Sequence, residues 1–254
     1  MTKTAVIIAC LLTSVWAIYY FSKKETKACL YDRSSLHVGT AAEFPPFEFI
    51  ENDQMVGFDI DLMNAVAKKI DKKIIWHDMP FLTLIPQAQR GTLQVLAAGL
   101  TPTPEREEEL LFTQPYLVSD PLLVISLAKN KPVTSLDDLK GKTVLVNEGF
   151  SAERFMSALP GIDLKRLPTV ADAFLSLQSG RADAFVVAAN NIKPFFKQYP
   201  QKDFSLYTIP NTNEKTAFAI SKKYPELKEQ LDKALQELQQ EGFIDALKKK
   251  WDIS

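Results

Sequence analysis

The stretch LQSGRADAFVVA, residues 177 to 188, ends a predicted helix, turns at a glycine and continues as a buried strand of small residues. An earlier stretch, AQRGTLQVLAA at residues 88 to 98, has the same order of helix end, glycine and strand. This repeat, although weak, supports two similar lobes.

Strand-like and helix-like runs alternate around both stretches, which indicates βαβ units and parallel pairing. The predicted strands are 36–39, 73–76, 93–98, 122–127, 143–146, 183–187 and 216–220. The predicted helices are 59–70, 82–89, 151–159, 170–178, 191–198, 225–240 and 243–251, with a short helix opened by Ser135. The expected fold class is therefore α/β.

Two of these strands, 122–127 and 216–220, bracket the second unit, so the chain is expected to cross between the lobes twice there. A double crossing makes a hinge with a cleft. The predicted limits are 36–120 with 217–254 for lobe 1 and 121–216 for lobe 2. Each lobe is expected to be a mixed, mainly parallel sheet flanked by helices.

The charge balance limits the partners of the protein. Thirty Lys and Arg residues face 31 Asp and Glu residues, for a net charge of -1. Because nucleic-acid binders need a basic patch, no nucleic-acid partner is expected.

The N-terminus has a different composition. An apolar, uncharged run at residues 4–21 is followed by Lys23 and Lys24, which predicts a signal peptide or N-terminal membrane anchor over residues 1–28. The protein is therefore expected to be periplasmic or extracytoplasmic, with membrane anchoring left open. Cys10 and Cys29 lie in poor contexts for lipid attachment.

The sequence contains few side chains and no motif suited to nucleophilic or metal catalysis. The histidines are His37, in a predicted strand, and His77, and no G-x-S-x-G motif, Cys/His pair or metal-ligand cluster accompanies them. No cofactor and no metal are expected, and we interpret both histidines as ordinary partly buried side chains.

The stretch AAGLTPTPEREE, residues 97 to 108, favours an anion site. A buried strand ends at Ala98 and Gly99, Thr101 follows with a hydroxyl group, and Arg106 is predicted to lie near a helix N-terminus. Because the helix dipole disfavours a cation there, a bound carboxylate is one explanation. The other, left open by the spacing, is that Arg106 pairs with a neighbouring glutamate.

A second strand-to-helix turn, VNEGFSAERF at residues 146 to 155, offers a further anion position. Ser151 is predicted to cap the helix that follows Gly149. Facing Arg106 across a cleft, it would complete a carboxylate clamp.

These stretches belong to a longer series of motifs. In order and spacing from about Leu36 to Trp251, the series resembles the bacterial extracellular solute-binding proteins of family 3, the polar amino-acid-binding proteins of ABC importers. The matching motifs are HVGTAAEFPPFEF, GFDIDLMNAVAKKI, LIPQAQRG, AAGLTPTPERE, DLKGKTVLV, GRADAFVV and ALKKKW. The chain most resembles the arginine-binding members.

The resemblance implies a type II periplasmic-binding-protein fold, with two lobes joined by crossing strands around 117–125 and 215–220. It also implies roles for individual residues. Arg106, Thr101 and Ser151 would bind a ligand carboxylate, and Gly99, after Ala98, would offer its carbonyl to the ligand ammonium. Phe44 and Phe81 would form the two walls beside the ligand side chain.

Two positions depart from the family pattern. Ala188 stands where many members have the acid that binds the α-ammonium, and Ala41 stands where relatives often have an acid after the first strand. Asn190, Asn191 or Glu148 is the expected substitute for the first acid. Glu43, the nearest acid to Ala41, is the expected partner of a cationic side chain.

Arginine is the expected ligand, because phenyl faces sandwich a guanidinium well and a carboxylate binds its edge. Lysine or ornithine comes next, and glutamine stays an alternative. The expected partner is an ABC permease in the inner membrane, and the protein is expected to be a monomer and not an enzyme.

Two alternatives remain. One is an enzyme on the same scaffold that resembles the periplasmic cyclohexadienyl or arogenate dehydratases, with Glu148 or Glu43 as a general acid. The other is a sensor input domain, which the apolar N-terminus favours and the end of the chain at Ser254 disfavours.

Overall fold

The structure is a computed structural model, and it describes residues 34–253. The predicted signal peptide or anchor, residues 1–28, lies outside this range. Within it, no helix has the length and apolar character needed to span a lipid bilayer.

Lobe 1 is built on a five-stranded sheet with the order β5-β1-β6-β15-β7. Its strands are Ser35–Thr40 (β1), Lys73–Asp78 (β5), Val95–Leu96 (β6), Leu110–Phe112 (β7) and Ala219–Ser221 (β15). Strand β1 pairs with β6 in parallel, whereas β15 runs antiparallel to both β6 and β7. The C-terminal part of the chain therefore completes the sheet that the N-terminal part begins.

The helices of lobe 1 match the predicted amphipathic runs closely. They are Phe58–Lys69 (α1), Phe81–Arg90 (α2), Pro104–Glu109 (α3), Glu226–Gln240 (α7) and Phe243–Trp251 (α8). Helices α1, α7 and α8 pack together, and their leucines bury one core with Phe58, Phe47 and Phe218. The spacing of apolar residues predicts α7, with four buried leucines, and α8, with Ile244 and Leu247, because a buried stripe recurs every three to four residues.

Lobe 2 is built on a second five-stranded sheet with the order β11-β10-β12-β9-β13. Its strands are Leu122–Leu127 (β9), Thr143–Asn147 (β10), Asp163–Leu167 (β11), Ala184–Ala188 (β12) and Phe204–Thr208 (β13). Strand β10 is parallel to β11 and β12, and β9 is antiparallel to β12 and β13. Its helices are Ser151–Ser157 (α4), Val170–Gln178 (α5) and Ala189–Phe196 (α6), with 3-10 turns at Leu136–Leu139 and Gln201–Asp203.

Two short strands connect the lobes. Leu117–Asp120 (β8) lies between β7 of lobe 1 and β9 of lobe 2, and Glu214–Thr216 (β14) lies between β13 of lobe 2 and β15 of lobe 1. They form an antiparallel pair in which Glu214 is opposite Asp120. The predicted two-lobed α/β fold with crossing strands is confirmed. The predicted lobe limits, at residues 120/121 and 216/217, fall at the ends of these two strands and stay a prediction.

The segment after β1 contains structure that the sequence did not predict. Strands Glu43–Phe44 (β2), Glu48–Glu51 (β3) and Gln54–Val56 (β4) form a small antiparallel sheet. The turn between β2 and β3 contains a cis Pro45-Pro46 bond. Phe47 lies in the core of lobe 1, whereas Phe49 packs edge-on against Trp251. Phe44 is left at the surface of the lobe.

Candidate functional site

A cavity lies between the lobes beside the crossing strands. Most of the predicted site residues line it, and they come from both lobes: Phe44, Phe81, Ala98, Gly99, Thr101, Arg106 and Ser151. The ends of β6, β10 and β12 meet there with β8 and β14, so that segments far apart in sequence share one wall.

Arg106 is the cation of this cavity. Thr103 caps α3 by accepting from the Arg106 main-chain N–H, and Pro104 is the first residue of the helix. The guanidinium is turned inward, since Arg106 is only 3% exposed. Its Nη1 donates to the Thr101 carbonyl at 2.8 Å and its Nη2 donates to the Gly149 carbonyl at 2.9 Å. The alternative in which Arg106 pairs with a surface glutamate is not what the structure shows, because Glu105 pairs with Arg154 instead.

Burial and the nearby guanidinium of Arg154 lower the pKa of Arg106 to about 10, and the negative charges of Glu214 and Glu105 oppose the shift. Arg106 is therefore still charged at neutral pH. A buried charge of this kind favours an anionic partner.

Three aromatic rings form one wall of the cavity. Phe44 and Phe81 are there as predicted, but Phe150 of lobe 2 lies between them, with ring centroids 4.9 Å from Phe44 and 4.8 Å from Phe81. The Arg106 Cζ atom is 5.7 Å from the Phe81 centroid. Phe44 rests on Gly99, whose φ is +57° and where a Cβ would lie 2.6 Å from Phe44 Cε1. Glycine is needed there for both reasons.

Glu43 lies in a neighbouring cavity and not in that of Arg106. This second cavity is bounded by the same three rings and by Ala41, Glu43 and Glu148. Two carboxylates thus lie on the far side of the aromatic wall.

Asn190 is fully buried and is not part of the cavity lining. Its main-chain N–H donates to Asp120 Oδ1 at 3.0 Å, while its neighbour Asn191 lines the cavity. Ser151 lines the cavity as the first residue of α4, but the predicted cap is wrong, because Phe150 occupies the N-cap position and no side chain caps the helix.

Sequence reasoning missed four polar residues of the cavity: Asp120, Asn147, Glu214 and Thr216. Asp120 is 2% exposed, and its partner in strand register is Glu214, whose Oε2 accepts from the Thr101 hydroxyl at 2.8 Å. Burial raises the pKa of Asp120 to about 6, while hydrogen bonds from Asn190 and the charge of Lys193 hold it down and Glu214 raises it further. The available signal was that Asp120 falls within the predicted crossing strand at 117–125.

A second set of acids is buried behind Phe44 and Gly99. Asp59 accepts from the Tyr116 hydroxyl at 2.7 Å and from the Gly99 N–H at 2.9 Å. Glu48 is 0% exposed, and neither of its carboxyl oxygens has a hydrogen-bond partner. Burial and the neighbouring Asp59 raise the pKa of Glu48 well above its usual range. Burial without a hydrogen-bond partner thus favours the neutral form of the Glu48 carboxyl group. This set of residues lies behind the cavity wall and supports it.

The lobes also touch at two further places, one outside the cavity and one at its edge. Arg154 of lobe 2 donates from Nη1 to Thr103 Oγ1 at 2.8 Å and pairs with Glu105 of lobe 1. Asn191 Nδ2 lies 3.5 Å from the Pro45 carbonyl. These contacts close the cleft over the cavity.

The sequence was compared with known families and proteins. The family model described as bacterial extracellular solute-binding proteins, family 3, matches residues 36–253. The arginine-binding extracellular protein ArtP of Bacillus subtilis is 34% identical over 224 residues, which cover 86% of each chain.

Two solved structures have the same fold. An ancestral arginine-binding protein bound to arginine has a TM-score of 0.81 at 36% identity, covering 87% of this chain and 99% of that one. An ancestral arginine-binding protein bound to glutamine has a TM-score of 0.80 at 35% identity, covering 88% of this chain and 100% of that one. Family model, sequence relative and folds agree, and the chain belongs to the bacterial extracellular solute-binding proteins, family 3.

Proposed function

We propose that the protein is the extracytoplasmic substrate-binding component of an amino-acid ABC transporter and binds arginine or another basic amino acid between its lobes. One observation carries the proposal. The interlobe cavity combines a buried guanidinium, Arg106, with carboxylates and an aromatic wall, which suits a zwitterion with a flat or cationic side chain.

The ligand carboxylate would bind Arg106. Its guanidinium is charged and buried, and its hydrogen bonds to Thr101 and Gly149 go to neutral carbonyls. A carboxylate is a stronger acceptor for a guanidinium than a carbonyl is. Thr101 and Ser151, at the same cavity, would add hydroxyl donors.

The ligand side chain would pass the aromatic wall. Phe44, Phe81 and Phe150 border both cavities, and Glu43 and Glu148 border the second one. A guanidinium stacked on such rings gains about 0.5 to 2 kcal/mol per contact, and the acids beyond the rings favour a positive charge. Arginine therefore ranks first and lysine or ornithine second. Glutamine is the neutral competitor, in keeping with the glutamine-bound relative of the same fold.

In the cell the protein would collect its ligand in the periplasm or an equivalent extracytoplasmic space and deliver it to a permease in the inner membrane. Bridging contacts such as Arg106 to Gly149 would be made only when the lobes close. Closure would thus report that the ligand is bound. We propose a binding role without catalysis.

The direct test is titration calorimetry of the purified protein with the twenty amino acids and ornithine, with mass spectrometry of any ligand that copurifies. We expect arginine to bind with micromolar or tighter affinity, which corresponds to about -8 kcal/mol or better. Absence of binding to every amino acid would refute the proposal.

The dehydratase alternative gains no support from the geometry. Its candidate acids, Glu43 and Glu148, line the second cavity, beyond the aromatic wall from Arg106. Incubation with prephenate or arogenate, followed by a search for an aromatic product, tests it. We expect no product.

A further inference from the structure

Asp120 and Glu214 are brought together by the two strands that connect the lobes. They are partners in the β8–β14 register, and both line the cavity of Arg106. Each carboxylate accepts a hydrogen bond from the protein and can still accept another from a ligand. The Asn190 N–H occupies Asp120 Oδ1, and the Thr101 hydroxyl occupies Glu214 Oε2. Carboxylate oxygens accept more than one hydrogen bond each.

Asn147 is an independent sign of a missing donor in the same cavity. It is 1% exposed, its Nδ2 donates to the Leu167 carbonyl at 3.2 Å, and its Oδ1 has no hydrogen-bond partner. An unpaired buried acceptor is costly, so native proteins rarely leave one without a ligand or water. Because Asn147 lines the cavity, a ligand that carries N–H donors would satisfy it.

The oxygens of Asp120, Glu214 and Asn147 lie on either side of Ala188, the position where many members of the family have an acid. Strand β12 lies between β10, which ends at Asn147, and β9, which begins two residues after Asp120. Its last residue, Ala188, lines the cavity with a methyl group. Strand β12 therefore provides no negative charge at this point, but Asp120 at the end of the crossing strand β8 does.

We infer that Asp120, assisted by Glu214 and the Asn147 Oδ1 atom, binds the α-ammonium group of the ligand. The inference rests on the proposed function, because it requires an α-amino acid. It moves ammonium recognition from lobe 2 to the crossing strands. Arg106 and the two carboxylates would then bind opposite ends of the same zwitterion.

The test compares two ligands that differ only in this group. L-arginine and 5-guanidinopentanoate share the guanidinium and the carboxylate, but the second has no α-ammonium. Asp120→Asn keeps an oxygen that can accept from the Asn190 N–H and removes the charge. We expect it to weaken L-arginine binding about 10- to 100-fold and to change 5-guanidinopentanoate binding less than about twofold.

Proton release gives a second readout that a purely structural role would not change. Asp120 has a pKa near 6 and faces Glu214 of β14 and Lys193 of α6. Binding of an ammonium favours its charged form, so arginine binding at pH 6 should release protons. Calorimetry in buffers of different ionisation enthalpy measures this release, which Asp120→Asn should reduce.

Two further variants serve as controls. Glu214→Gln should give a smaller loss with the same preference for L-arginine, and it keeps the inference testable if Asp120→Asn fails to fold in a thermal melt. Asp137→Asn, on an exposed 3-10 turn of lobe 2, should leave both affinities and the proton release unchanged.

The outcomes separate the inference from the proposed function. Equal losses for both ligands in Asp120→Asn, or undiminished proton release, overturn the inference while wild-type arginine binding supports the proposed function. If the wild-type protein binds no amino acid, both are overturned.

Discussion

Arg106 of lobe 1 donates from Nη2 to the Gly149 carbonyl of lobe 2 across 2.9 Å. The guanidinium therefore belongs both to the cavity and to the contact between lobes. Gly149 has a φ of +81°, and a Cβ there would lie 2.6 Å from Leu82 Cδ2 in lobe 1, so the turn approaches lobe 1 closely. Ligand binding at Arg106 is thereby linked to the separation of the lobes.

Replacing Arg106 tests the carboxylate site. Arg106→Lys keeps a positive charge but loses the planar fork that reaches Thr101 and Gly149 together. We expect L-arginine to bind at least about 10-fold more weakly, since each charge-assisted hydrogen bond contributes about 1.5 to 3 kcal/mol. Agmatine, which lacks the carboxylate, should be affected much less. Arg181→Lys, on an exposed turn of lobe 2, is the matched control for calorimetry. Equal losses for both ligands would contradict the assignment.

Arg154 tests the contact between lobes outside the cavity. Arg154→Ala removes its bonds to Thr103 and Glu105 without touching the cavity lining. Because exposed ion pairs contribute about 0 to 1 kcal/mol, we expect affinity to fall by no more than about fivefold. Small-angle scattering should show a larger fraction of open molecules. Lys142→Ala, which breaks an exposed pair within lobe 2, should change neither quantity.

Phe150 tests the aromatic wall. Phe150→Leu keeps an apolar side chain between Phe44 and Phe81 and removes the ring. We expect arginine to bind about 3- to 30-fold more weakly, because the cation–ring attraction of about 0.5 to 2 kcal/mol is lost. Glutamine, without a charge, should lose less. Competition binding of the two ligands to each variant measures the preference, and an unchanged ratio would place the guanidinium elsewhere.

A substitution of Gly99 tests whether the packing of Phe44 on this residue matters for binding. Both Gly99 and Gly180 have positive φ, but an added Cβ would meet Phe44 at Gly99 and nothing within 4 Å at Gly180. Gly99→Ala and Gly180→Ala should share a conformational penalty of about 1 kcal/mol in unfolding free energy. Only Gly99→Ala should also weaken arginine binding, since Phe44 must move. Chemical denaturation and calorimetry on both variants separate the two effects.

A substitution of Glu48 tests the charge state of the acids buried behind Phe44 and Gly99. Its pKa is raised on folding, so its contribution to stability is greatest below the unfolded value of about 4.5 and is lost as the pH rises toward the folded value. The difference in unfolding free energy between Glu48→Gln and the wild type should therefore increase as the pH rises above 4.5. Urea denaturation from pH 4 to 8 measures it. Exposed Glu226→Gln is the control, and a pH-independent difference for Glu48→Gln would mean that folding does not raise the pKa of Glu48.

Most helices of the protein could be predicted from its sequence. Helix α1, α5, α7 and α8 carry a buried stripe at helical spacing, and Thr169 and Thr103 cap α5 and α3. Such signals are local, because they depend on residues three or four positions apart. Long buried strands such as β9 are recognised in the same way from their apolar runs.

Several short strands were not predicted, or were predicted with wrong limits, because they carry no such local signal. The predicted strand 216–220 is two strands, since Thr216 ends the crossing strand β14 whereas Ala219 begins β15 of lobe 1. Strands β2 to β4 and β7 have two to four residues each, whereas β11 and β13 have five residues with at most one buried side chain each. Pairing with neighbouring strands defines all of them. A strand of two to four residues has too little periodicity to be read from sequence.

The sequence by itself determined the α/β class, indicated two lobes, and pointed to Arg106 and Thr101 as an anion site, because these features lie in local motifs. The resemblance of its motifs to the family added Gly99, Phe44 and Phe81 as candidate cavity residues. Only the tertiary structure decided that Glu43 lies beyond the aromatic wall, that Phe150 fills the gap between the rings, and that Asp120 meets Glu214. These last relationships depend on strand register and lobe contact between distant segments. No local pattern encodes them, because side chains remote in sequence become neighbours only when the chain crosses between the lobes and returns.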